Sequence, residues 1–141
     1  MHTTIVRSGL IGLALAAFLG TGPAALAEVI TYKAALAAQG NDSKGTGNAE
    51  AAYDTTSKML TWTITYDGLT GPATVAHFHG PAEAGKNAGV AVLIGNNPTS
   101  PAKGTATLTD AQAADLAGGR WYVNVHTGAN RGGEIRGQVA K

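Results

Sequence analysis

From residue 28 onward the chain alternates apolar and polar positions in short runs, with Gly, Asn, Asp or Pro between them. That punctuation predicts an antiparallel β domain. Met59 to Tyr66 (MLTWTITY) carries the two-residue period most cleanly. Leu60, Trp62, Ile64 and Tyr66 fall on one face, and Thr61, Thr63 and Thr65 on the other, so one face is expected to pack and the other to be wet. Shorter runs at Val29 to Leu36, Ala49 to Tyr53, Ala73 to His79, Gly104 to Leu108, Arg120 to His126 and Glu134 to Val139 read the same way. Gly89 to Ile94 (GVAVLI) is nearly all apolar and is expected to be a central buried strand. Asp54 to Lys58 is expected to turn between two strands. One helix is predicted: Thr109 caps it, Gln112 completes a capping box, Leu116 is its main core contact and Gly118 ends it. About eight short strands with one short helix predict an all-β fold, an antiparallel sandwich or barrel.

The N-terminus has a different pattern. Arg7 precedes an apolar run from Gly9 to Leu19, Gly20, Gly22 and Pro23 break it, and Ala25-Leu26-Ala27 supplies a small-x-small sequence. This is the layout of a secretory signal peptide, with cleavage expected after Ala27. The run is shorter than the roughly 20 apolar residues that span a bilayer. Residues 1–27 are therefore expected to be a signal peptide and 28–141 one exported domain, periplasmic or secreted, with no membrane attachment after cleavage.

The whole chain has a formal net charge of +1, and Arg7 is the one charged side chain among residues 1–27. The exported part is thus electrically balanced, which argues against a nucleic-acid partner. The chain contains no Cys. Thiolate chemistry and disulfides are excluded, so the domain must be held by its core, its sheet pairing or a bound ligand. The 20 glycines are scattered without a period, which points to tight turns rather than to collagen or disorder.

The informative residues are His77, His79 and His126. Residues two apart in a strand share a face, so His77 and His79 project side by side while Phe78 turns to the core. In the later strand Val123 and Val125 read as core, which puts Tyr122, Asn124 and His126 on the opposite face. If the two strands are neighbours, the three imidazoles converge. Three neutral imidazoles suit copper(II), with zinc the alternative, and leave a position for water or another ligand. Such a site needs partners on the imidazole N–H groups; Glu134, Asn124 and Gln138 are the candidates, and Arg136 is expected beside them, where it could attract an anion or screen a metal pocket. Glu134 and Arg136 also read as a simple cross-strand charge pair. Trp62 reads as core, and Trp121 as either core or a ligand-stacking residue. No nucleophile elbow or paired carboxylates suggest a hydrolase, so no catalytic residue is assigned.

The run Ala76-His77-Phe78-His79-Gly80-Pro81, the capped helix ending Leu116-Ala117-Gly118-Gly119, then Tyr122-Val123-Asn124-Val125-His126-Thr127 and Gly133-Glu134-Ile135-Arg136-Gly137-Gln138 together resemble the CHRD domain, named after chordin. The resemblance spans about Val29 to Val139. It implies an exported, all-β, immunoglobulin-like or barrel-like domain, and not an enzyme class. A looser similarity links His77 and His79 to the strand HxH copper ligands of copper/zinc superoxide dismutase, another β-sandwich. The departures are large: beyond His77, His79 and His126 the expected exported part has no further histidine for a fourth copper ligand, no histidine cluster for a bridging zinc and no cysteine pair. The function expected is metal binding for buffering or delivery of copper or zinc. A metal-free protein-interaction module is the alternative, and a dismutase-like redox enzyme the third reading.

Overall fold

The computed structural model describes residue 20 and residues 22–141. Most of the expected signal peptide, including Arg7 and the run to Leu19, lies outside the described residues. Residues 22–28 carry no regular secondary structure. Among the described residues no helix is long and apolar enough to cross a membrane.

Among the described residues eight strands and one helix follow in the order β1 Val29–Ala38, β2 Thr46–Asp54, β3 Met59–Asp67, β4 Ala73–His79, β5 Val90–Asn96, β6 Ala102–Thr107, α1 Asp110–Ala117, β7 Tyr122–Thr127 and β8 Ile135–Gln138. All pairings are antiparallel, in the spatial order β5-β4-β7-β8-β1-β2-β3-β6. The two outer strands, β5 and β6, touch without pairing, so the sheet curls into a nearly closed barrel. The all-β expectation holds.

The two-residue period sorts side chains as anticipated. Tyr32, Ala34 and Leu36 of β1, Ala49, Ala51 and Tyr53 of β2, and Leu60, Trp62 and Ile64 of β3 are buried, while their alternates face out. Trp62 needs room on the neighbouring strand. It pairs with Gly104 of β6, where an added Cβ would sit 2.5 Å from the indole. Phe78 lies between the two tryptophans, edge-on to Trp62 at 5.4 Å and tilted against Trp121 at 5.7 Å. Trp121 is therefore core. Helix α1 carries the expected capping box between Thr109 and Gln112, and buries Leu116.

One strand departs from its reading. Gly89 to Ile94 is not central: β5 is an outer strand, with Val90 55% and Leu93 47% exposed. Register shifts against β4 between Ala76 and His77 and again between Phe78 and His79 break the simple alternation. Apolar composition alone does not reveal such bulges.

Glu134 was expected to face outward beside an imidazole or to pair with Arg136. Instead it is fully buried and does neither. Its carboxylate accepts hydrogen bonds from Ser43 Oγ (2.6 Å), Thr70 N and Oγ1 (2.7 Å each), Thr127 Oγ1 (2.5 Å) and Asn130 Nδ2 (3.3 Å). Ser43, Thr70 and Asn130 lie in three separate connections, β1–β2, β3–β4 and β7–β8, and Thr127 ends β7, so one carboxylate ties them together. Burial pushes its pKa up, but the hydrogen bonds from Ser43, Thr127 and Thr70 outweigh this and hold it at about 2, below the ordinary 4.5.

A carboxyl with a depressed folded pKa stabilises the fold above its unfolded pKa, and that contribution is lost as the pH falls. Stability should therefore decline as pH drops from 4.5 towards 2. Glu134→Gln should cost about 1–3 kcal/mol at neutral pH and flatten that acid limb, as read by denaturant unfolding across pH. An unchanged limb in the variant would contradict this role.

Candidate metal centre

The site rests on the pairing of β4 with β7. Their register sets His77 opposite Asn124, His79 opposite Tyr122 and Val75 opposite His126. His126 is thus the diagonal neighbour of His77 on the outer face. Phe78, locked in the aromatic core and fully buried, forces His77 and His79 to that same face.

The three histidines converge: each offers a ring nitrogen, and these atoms lie within 4.8 Å of one another. His77 Nδ1 and His126 Nε2 are 3.4 Å apart. Two nitrogens bound tetrahedrally to one ion at about 2.05 Å stand about 3.3 Å apart, so this pair already has a ligating separation. The rings of His77 stand edge-on to those of His79 and His126, with centroids at 5.3 and 5.4 Å.

Backbone carbonyls fix two of the tautomers. His79 Nδ1 lies 3.0 Å from Ala88 O, and His126 Nδ1 lies 2.8 Å from Arg131 O. A carbonyl only accepts, so each Nδ1 carries a proton, and in the neutral ring the lone pair then lies on Nε2. Among the described residues the buried His79 Nε2 has no hydrogen-bond partner. A buried lone pair left unmatched costs free energy, and a cation would satisfy it. Among the described residues, the donor set and this orphaned nitrogen fit a borderline ion such as Cu(II) or Zn(II).

The electrostatics favour neutral imidazoles. Burial lowers the pKa of His77 below 6.5, and the charges of His126 and His79 lower it further. Burial also lowers that of His79; the hydrogen bond to Ala88 opposes this, while His126 adds to it. Both are therefore deprotonated and able to ligate at neutral pH.

The four residues expected around the imidazoles act one step further away. None of them is hydrogen-bonded to a histidine among the described residues. Arg136 donates to Asn87 Oδ1 (2.8 Å) and to Lys86 O, and its guanidinium lies 3.4 Å over the ring of Tyr122. Tyr122 in turn stacks on His79 at 4.8 Å, nearly parallel, and its hydroxyl bonds the backbone of Ala88. Gln138 donates to Ala82 O and Gly119 O. Arg136, Tyr122 and Gln138 thus strap the connection 80–89 across β7 and β8 and position the carbonyl that orients His79.

Asn124 does the corresponding work on the other side. Its Nδ2 donates to Gly132 O at 3.3 Å, next to the Arg131 carbonyl that orients His126. The following Gly133 has φ of +120°, and a Cβ there would lie 2.1 Å from Asn124 Oδ1, so only glycine fits. Because the strap covers it, the face that carries Tyr122, Asn124 and His126 is largely closed: Tyr122 and Asn124 are buried. The backbone carbonyls of Ala88 and Arg131 carry no residue-type signal. Tyr122 had one, since it shares the face of His126.

No curated protein and no solved structure matches the chain. The family model described as the CHRD domain matches residues 29–139. That span holds every strand, the helix and all three converging histidines, and the chain accordingly belongs to the CHRD-domain family.

Proposed function

We propose that this CHRD domain is an exported metal-binding protein that holds copper, or zinc, through His77, His79 and His126 and buffers or delivers it. The observation that carries this reading is the buried, unpartnered Nε2 of His79, aligned with two further imidazoles whose nitrogens lie within 4.8 Å. Copper(II) is preferred because nitrogen sites bind it more tightly than other divalent ions of the first row. Periplasmic or secreted location follows from the N-terminal sequence pattern. Three protein ligands leave a coordination position through which an ion can be passed on.

A role in protein interaction is the second reading. Val90 and Leu93 are exposed on the outer strand and stand opposite His79 and His77 in register. Apolar side chains beside the histidines suit a protein partner that docks over them.

Titration of the purified protein with Cu(II) and with Zn(II) should give tight one-to-one binding. The double variant His77→Ala/His79→Ala should lose it, since a lone imidazole cannot replace a three-ligand set. Equal weak binding by both proteins would sink the metal reading and leave the interaction reading standing. Proton competition sets the pH dependence. Because burial depresses the pKa of His77 and His79, affinity should hold at pH 7 and fall as pH drops well below 6.5. An affinity that rises on acidification would contradict imidazole ligation.

A further inference from the structure

The strap leaves a hollow of about 310 Å³ beside β7 and β8. Gln39, Gly85, Asn87, Asn124, Gly132 and Arg136 line it. In the strand register Asn124 lies between His77 of β4 and Arg136 of β8, so the hollow adjoins the histidines without including them. At about 30 Å³ per water-sized group it has room for roughly ten non-hydrogen atoms.

Its chemistry is one-sided. The lining contains one formal charge, the Arg136 guanidinium, and no carboxylate. Among the described residues the ion pairs are Lys33 with Glu50, Lys58 with Asp110 and Arg120 with Asp115. Arg136 has no such partner. It is half-buried, and it rests on neutral acceptors and an aromatic face. A partly desolvated cation without a counter-charge attracts an anion, and a guanidinium suits a carboxylate by geometry.

A second group asks for something else. Asn124 is 7% exposed, and among the described residues its buried Oδ1 has no hydrogen-bond partner. The bond from its Nδ2 to Gly132 O fixes the amide orientation, so the unmet group is an acceptor. What satisfies it must donate.

We infer that this hollow binds a small organic carboxylate that also carries a hydrogen-bond donor, of the hydroxy-acid class, with the carboxylate on Arg136 and the donor on Asn124. The site is separate from the proposed metal centre and does not depend on it.

The test uses isotope-labelled, metal-free protein and follows backbone NMR shifts during titration with L-malate and, separately, with succinate and inorganic phosphate. L-malate should shift Gly85, Asn87 and Gly132 in a saturable way. Succinate, which lacks the hydroxyl, and phosphate should bind about tenfold or more weaker. Arg136→Gln should weaken malate binding at least about tenfold. Because that change also loosens the strap, Gly132→Leu provides an independent check. A Cβ at Gly132 meets nothing within 4 Å, so the leucine should occupy the hollow and block malate while the fold and Arg136 stay intact. Absence of saturable shifts, malate binding unchanged in Gly132→Leu, or equal binding of malate, succinate and phosphate would each overturn the inference.

Discussion

The pairing of β4 with β7 is the constraint on which the site depends. It joins segments far apart in the chain, since His77 and His126 are 49 residues apart. Closing such a loop costs entropy, which sheet pairing and core burial must offset. Phe78 is central to that. Packed between Trp62 and Trp121, it fixes the register of β4 against the core, and the same register turns His77 and His79 outward. A one-residue slip would reverse the arrangement, placing both histidines in an apolar interior. Burial of the aromatic cluster and alignment of the imidazoles are thus two consequences of one register.

Strand register alone leaves imidazole rings free to rotate. Two connections remove that freedom. The strap 80–89 presents the carbonyl of Ala88 to His79, and the turn between β7 and β8 presents that of Arg131 to His126. Each connection is held by side chains outside the histidine set: Arg136, Tyr122 and Gln138 on the first, Asn124 and Glu134 on the second. Glu134 therefore serves the site through the fold, and its bonds to Ser43 and Thr70 link the turn carrying Arg131 to two other loops. Holding both Nδ1–H groups fixes the rings with Nε2 turned to the shared face, the kind of orientation that the proposed metal site would draw from partners of its ligands.

Much of this was legible in the sequence because it follows from local periodicity. The run Ala73 to His79 coincides with β4, the threonines of β3 mark its outer face, and the Thr109–Gln112 box starts the helix as read. That the histidines share a face followed from the spacing of His77 and His79. That β4 lies beside β7 did not, since adjacency in a sheet is set by packing of the whole domain. The imidazole partners were also hidden. They are main-chain carbonyls, while the polar side chains that looked suited to the task hold the loops instead. The apolar run at Gly89 to Ile94 misled because an outer strand with bulges and a buried central strand share a composition.

Pulsed EPR of the protein loaded with one equivalent of Cu(II) tests the central claim most directly, because it counts the imidazoles bound to the ion. Coupling to three imidazole nitrogens, reduced to two in His126→Ala, is the result expected from the convergence of His77, His79 and His126. A spectrum with one imidazole or none, or one unchanged by removal of His126, would contradict it.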